Sequence, residues 1–283
     1  MLKLIECPRD AMQGLHDFIP TEVKTAYINQ LLKVGYHTID FGSFVSPKAI
    51  PQLKDTAEVL DGLELDGTSE LLAIVANKRG ADDACNFDEI AYLGYPFSIS
   101  ETFQQRNTNA SIEESLTRVE EIQNRCIQHN KKLVVYISMA FGNPYGDAWD
   151  LEVAANWSRR LSADLGIEIL ALSDTIGVSN REIITDLFTG LIQELPSVEF
   201  GSHLHSTPDS VLEKVSAAYE AGCRRFDGAI KGFGGCPMAA DDLTGNMPTE
   251  GMKAYFDANK IGTNLDENEF QIAMQQALQV FPL

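Results

Sequence analysis

Apolar residues recur along the chain in short strand-like runs, separated by longer stretches with helical spacing. The strand-like runs are Leu2 to Glu6, Tyr36 to Phe41, Leu71 to Ala76, a weaker one at Ile90 to Ser98, Lys132 to Ser138 and Ile167 to Leu172. Two more are the run opening at Val198-Glu199-Phe200 and Arg224 to Ala229. The helical stretches follow Pro20 to Val34, Lys48 to about Leu60, Ser111 to about His129, Asp150 to Leu165, Asn180 to Leu195 and Pro208 to Ala221. The segment Pro248 to Leu283 reads as two further helices. Local signals agree with these limits. Ser111-Ile112-Glu113-Glu114 has the form of a capping box, and Gly35, Gly166 and Gly222 stand where helices stop.

Strand and helix alternate about eight times with short links, which predicts an α/β fold with a parallel sheet and crossover helices. Eight units favour closure into a (β/α)8 TIM barrel. An open doubly wound sheet is the alternative, but no G-x-G-x-x-G follows the first strand. At 283 residues the chain fits one such domain over residues 1–283, with the helices of about 248–283 packed on it.

Charge narrows the function. Lys and Arg number 22 against 41 Asp and Glu, a formal balance of -19, which argues against nucleic-acid or anionic-membrane partners. An anionic ligand would have to be met locally, by a metal and a few placed basic residues. The five cysteines, at 7, 85, 126, 223 and 236, lack CxxC spacing, so neither a disulfide framework nor a structural zinc is expected. The amino terminus enters its first strand directly and no apolar run is long enough to span a bilayer. A cytoplasmic location is expected.

Barrel active sites lie at the carboxyl ends of the strands. Here those ends carry Arg9, Asp10, Asp40, Asp174, His203 and His205, with Cys236 and Asn246 after the eighth strand. Residues i and i+2 of a strand share a face, so His203 and His205 present two imidazoles together. With Asp10 they form a facial set for a divalent ion, and an Asn246 oxygen would add a fourth ligand. That mixture suits Mn2+ or Mg2+ better than a closed zinc site. The plainer reading is a pair of hydrogen-bonded core histidines with Asp10 as a helix cap. Arg9 can neutralise an oxyanion or form a rim ion pair. Asp40 and Asp174 are acid/base candidates or helix caps. The run Gly232-Phe233-Gly234-Gly235-Cys236-Pro237 has the backbone freedom of a lid, and Cys236 is either a proton donor or an inert thiol.

Together these residues resemble the hydroxymethylglutaryl-CoA lyase family of metal-dependent barrel lyases. The likeness is carried by Pro8-Arg9-Asp10 with Gln13, Ser43-Phe44-Val45-Ser46-Pro47-Lys48 and Ser111-Ile112-Glu113-Glu114-Ser115. It continues in Asp174-Thr175-Ile176-Gly177-Val178, His203-x-His205, Gly232-x-Gly234-Gly235-Cys236-Pro237 and Gly245-Asn246. The resemblance implies metal ligation by Asp10, His203, His205 and Asn246, a catalytic Arg9 and a lid cysteine at Cys236. The implied reaction is cleavage of 3-hydroxy-3-methylglutaryl-CoA, or a close 3-hydroxyacyl-CoA, to acetyl-CoA and acetoacetate. Lys48, Lys78 and Arg79 are the candidates for the CoA phosphates, and a homodimer is the expected assembly. Four departures from the family pattern stand out: Ala11-Met12 for a Gly-Leu pair, Asp40 for a glutamate, Ser206-Thr207 for an Asp-Thr pair and Asn143 for a frequent cysteine; of these, Asp40 and Ser206 lie in or beside the site. The alternative on the same scaffold is a transferase condensing acetyl-CoA with a 2-oxo acid. A non-catalytic binding barrel would be expected to have lost ligands that are all present.

Overall fold

The computed structural model describes residues 1–235 and 244–281. Eight parallel strands close a barrel in chain order: β1 (Lys3–Glu6), β2 (Thr38–Ser43), β3 (Glu70–Ile74), β4 (Ile90–Ser98), β5 (Lys132–Ser138), β6 (Ile169–Asp174), β7 (Glu199–Ser206) and β8 (Arg225–Gly228). Closure comes from β1 pairing with both β2 and β8 and from β6 pairing with β7. A two-residue strand, β9 (Gly245–Asn246), pairs antiparallel with the end of β7. The helices are α1 (Pro8–Gln13), α2 (Thr21–Val34), α3 (Thr56–Asp61), α4 (Lys78–Ala84), α5 (Glu101–Thr108), α6 (Ile112–Gln128), α7 (Leu151–Arg159), α8 (Arg181–Glu194), α9 (Val211–Glu220), α10 (Thr249–Ala258) and α11 (Glu267–Val280). The expected TIM barrel with additional helices is the observed fold.

Side-chain alternation divides the core into two layers. Leu72, Ile74, Tyr92, Val134, Tyr136, Ile169 and Ala171 point inward and fill the barrel. Their neighbours Leu71, Ala73, Leu93, Leu133, Val135, Leu170 and Leu172 point outward, under the helices. Strands buried on both faces are therefore almost continuously apolar, as the sequence shows.

Local chemistry explains both the agreements and the differences. Ser111 accepts from the Glu114 amide at 3.1 Å while Glu114 accepts from the Ser111 amide at 2.8 Å, so the anticipated capping box forms. The helix read through Lys48 to Leu60 is interrupted instead. A 3-10 turn at Pro51–Leu53 precedes α3, because a proline within a helix removes a donor and clashes with the turn before it. Residues 8–13, for which the sequence pattern predicts no helix, form α1 with Pro8 at the first helical position. α5 was not anticipated. Its sequence is mostly polar, and it is held by the Ser100 cap on the Phe103 amide and by buried Phe103 and Gln104. α7 ends in a π-helical turn, Arg160–Asp164, rather than continuing as regular α-helix.

At the junction of β1 and α10, Glu6 is 1% exposed. It points to the helix side of the barrel and accepts from the Ile230 amide at 2.7 Å and from Thr249 Oγ1 at 2.6 Å. Burial outweighs these bonds and pushes the Glu6 carboxyl up to about 8.

Two measurements follow. Replacing Ser111 with Ala should cost about 1 kcal/mol of unfolding free energy in denaturant titrations, with turnover unchanged. The Glu6 proton is held more tightly folded than unfolded, so its contribution to stability is complete below the unfolded value of 4.5 and lost as pH rises through about 8. The melting temperature of Glu6→Gln relative to the parent should therefore rise between pH 5 and about 8. A pH-independent difference between the two would contradict this assignment.

Candidate active site

The site is assembled from strand ends, beginning with β1. The Cys7 amide bonds Gly228 O at 2.8 Å, and Pro8 then starts the short helix that carries Arg9, Asp10 and Gln13. Arg9 is buried and spans two carboxylates. Its Nη1 donates to Asp10 Oδ1 at 2.7 Å and to Gln13 Oε1 at 3.0 Å. Its Nε lies 3.1 and 3.0 Å from the two Asp40 oxygens, and Nη2 also donates to Asp40. This is charge-assisted pairing with the geometric specificity that a planar guanidinium allows.

Across the barrel, His203 and His205 stand on the inward face of β7, their ring centroids 5.7 Å apart. His205 Nδ1 donates to Thr175 O at 3.0 Å, and His203 Nδ1 lies 3.2 Å from Asp227 Oδ2. In both rings Nδ1 is engaged, which leaves Nε2 for a ligand. Asp10, His203 and His205 offer ligand atoms that all lie within 4.8 Å of one another. β9 brings in Asn246 directly opposite His205, and its Nδ2 donates to Asp10 Oδ2 and Phe233 O, both at 2.8 Å. The amide oxygen of Asn246 is the group left to ligate. Donor chemistry and spacing fit a divalent ion, and these four residues are the ones that would hold it.

Electrostatics are consistent with that fit. Burial would raise the Asp10 carboxyl, but Arg9 and the two imidazoles together hold it down to about 2. Burial and the neighbouring His203 lower His205 to about 4, leaving a neutral imidazole near pH 7. For His203 burial acts downward, yet the hydrogen bond and charge of Asp227 outweigh it and raise the ring. Burial lifts Asp40 to about 6 against the pull of Arg9.

These groups face a cavity of about 240 Å³. Arg9, Asp10, Gln13, His203 and His205 form its polar wall; Val45, Ile50, Ile74, Phe103 and Tyr136 supply apolar surface, and Ser138, Ser173 and Thr175 add hydroxyls. The remaining anticipated residues sit elsewhere. Asp40 lies behind Arg9 and is not part of the cavity wall. Asp174, anticipated as an acid/base group, is fully engaged away from the cavity. It accepts from Val178 N at 2.9 Å, from the Ser179 amide and hydroxyl at 3.1 and 2.5 Å, and from Lys214 Nζ at 2.7 Å. It thereby ties the turn before α8 to α9. Lys48, Lys78 and Arg79 are exposed, outside the cavity wall but on the same carboxyl face of the barrel. Cys236 lies outside the described residues.

The sequence reading missed Tyr136, Phe103 and Asp227. Inward alternation along β5 and β8 was the available signal for Tyr136 and Asp227. A strand tyrosine and a lone aspartate read more readily as packing and capping, and Phe103 sits on a helix that was itself missed.

The HMGL-like family model matches residues 3–276. A hydroxymethylglutaryl-CoA lyase of Bacillus subtilis is 33% identical over 260 residues, 91% of this chain and 85% of that protein. A cytoplasmic 3-hydroxy-3-methylglutaryl-CoA lyase of Rattus norvegicus is 31% identical over 268 residues, 94% of this chain and 77% of that protein. Among solved structures, an HMG-CoA lyase of Acinetobacter baumannii in complex with coenzyme A and 3-methylmalate superposes with a TM-score of 0.90. It is 29% identical, with 99% of this chain and 91% of that chain covered. With its family pattern spread across the whole barrel, this chain belongs to the HMGL-like family.

Proposed function

We propose that this protein is a carbon–carbon lyase that cleaves 3-hydroxy-3-methylglutaryl-CoA to acetyl-CoA and acetoacetate, with Mg2+ or Mn2+ as cofactor. The observation that carries the reading is the convergence of Asp10, His203 and His205 beside a buried arginine on the wall of one cavity. The names of the B. subtilis and rat relatives and the coenzyme A complex of the A. baumannii enzyme support an acyl-CoA substrate. The condensing-transferase alternative is not favoured, since these relatives are named as lyases.

Bound by Asp10, His203, His205 and Asn246, the ion would act as a Lewis acid, lowering the pKa of the substrate's C3 hydroxyl. Loss of that proton lets the C2–C3 bond break: the C3 oxygen becomes the ketone of acetoacetate and the bonding pair passes to the thioester as an enolate. Arg9 is placed to meet the developing oxyanion. A guanidinium has five N–H groups; Asp10, Gln13 and Asp40 engage four here, and one on Nη2 remains for the substrate. Asp40 holds that guanidinium in place. Because Asp40 and Asp174 stand off the wall, proton removal is assigned to the titratable groups that line it, which besides Arg9 are Asp10, Tyr136, His203 and His205. Protonation of the enolate carbon is the step for which the sequence offers Cys236.

A cavity of about 240 Å³ takes a branched acyl group and leaves the nucleotide end of an acyl-CoA outside. Lys48, Lys78 and Arg79, exposed on the carboxyl face, are our candidates for its phosphates. A homodimer and a cytoplasmic location belong to the same reading, the latter supported by the name of the rat relative.

The direct test is a coupled assay for acetyl-CoA and acetoacetate with and without EDTA. Both products should form from 3-hydroxy-3-methylglutaryl-CoA in Mg2+ or Mn2+ and disappear on chelation. A metal-loaded protein that leaves this substrate intact would refute the substrate assignment. Asp10→Ala should abolish turnover and lose the bound ion, read by elemental analysis after gel filtration; an unchanged metal content would remove Asp10 from the ligand set. Arg9→Lys keeps a charge but cannot bridge both carboxylates, and should lower kcat by about 10²–10³.

A further inference from the structure

Asp227 lies on the inward face of β8, two residues beyond Arg225, and is 2% exposed. Its Oδ2 is 3.2 Å from His203 Nδ1, while Oδ1 has no hydrogen-bond partner among the described residues. The wholly buried Arg225 supplies the opposing charge within the barrel. On its other side, the His203 ring meets the Tyr136 ring edge-to-face, with centroids 5.2 Å apart and planes at 77°. The aromatic contact limits tilt of the imidazole, and the carboxylate limits its rotation and occupies Nδ1. Which nitrogen a histidine offers is set by the partner of the other. The two histidines differ here: His205 bonds a neutral carbonyl, that of Thr175, whereas His203 bonds a carboxylate in a site shielded from water. A carboxylate partner orients the ring and makes it a stronger electron donor.

We propose that Asp227 is a positioning residue for the divalent ion: it directs His203 Nε2 toward Asp10 and His205 and strengthens that nitrogen as a ligand. This rests on the reading of Asp10, His203 and His205 as a metal set. It assigns the asymmetry of that set to one buried carboxylate outside it.

The test is a calorimetric titration with Mn2+ of the parent, Asp227→Asn and Asp227→Ala, alongside thermal unfolding of the metal-free proteins. Asn keeps an acceptor for Nδ1–H without the charge and should bind at intermediate affinity. Ala removes both, and should bind about 10–100-fold more weakly than the parent. An Asp227→Ala protein that binds Mn2+ within about threefold of the parent, even with a lowered melting temperature, would reduce Asp227 to a packing role. Should the variants fail to fold with Arg225 left to Glu199 alone, nitrogen-15 NMR of the five histidines in the Mg2+-loaded parent still decides the matter. A proton on Nδ1 of His203 is expected; a proton on its Nε2 would overturn the proposal. A parent protein that binds no Mn2+ at all defeats the metal reading itself, and this inference with it. Tight binding by the parent and by Asp227→Ala alike defeats only the role of Asp227.

Discussion

A guanidinium buried between two carboxylates is the interaction on which the carboxyl face of this barrel depends. Arg9 cannot shed its charge, so its burial is tolerated only because Asp10 and Asp40 compensate it and Gln13 satisfies a further donor. The pairing has two consequences for chemistry. Asp10 is kept ionised, the state that the proposed metal ligation requires, and Arg9 is held in one orientation on the cavity wall. The set carries two carboxylates against one guanidinium, which leaves an excess negative charge opposite two imidazoles. Such a site attracts a cation. The molecule can therefore be strongly acidic overall and still present positive charge to an anionic substrate, because the relevant fields are set within a few ångströms.

The barrel makes that arrangement possible by register. On β7 the period of two places His203 and His205 inward while Phe200 and Leu204 pack outward; the adjacent β8 brings Asp227, and β5, two strands away, brings Tyr136 against His203. Asn246 arrives differently, on a return segment that must press closely against the chain at Gly232. A Cβ added at Gly245 would lie 2.3 Å from the Gly232 carbonyl oxygen, so only glycine permits the approach that sets Asn246 beside Asp10. The interior below the site is polar as well. Buried Arg225 is ion-paired with Glu199 at 3.5 Å, and these two and Tyr136 carry buried atoms that make no hydrogen bond among the described residues, in a barrel core that is otherwise mostly apolar.

Much of this was readable from residues in order. Apolar periodicity is a local property, and it identified the eight strands, most of the helices and hence the barrel. The rule that barrel chemistry gathers at the strands' carboxyl ends then selected Arg9, Asp10, His203 and His205. What failed locally failed for identifiable reasons. α5 is too polar to show a periodic face and exists because Ser100 caps it and Phe103 is buried. The helix after β2 is broken by Pro51.

The sequence by itself determined which residues alternate inward and which groups stand at the working end of the barrel, because strand pleat and the chirality of β-α-β connections leave little choice. Only the tertiary structure decided how those groups share their charge. Asp40 and Asp174 are alike in one dimension, each an aspartate near the end of a strand. In three, the first clamps Arg9 while the second is spent on Lys214 and Ser179. Asp227, inconspicuous along the chain, stands behind His203. Hydrogen-bond partners separated by tens or hundreds of residues are fixed by barrel closure and packing, and no local pattern encodes them.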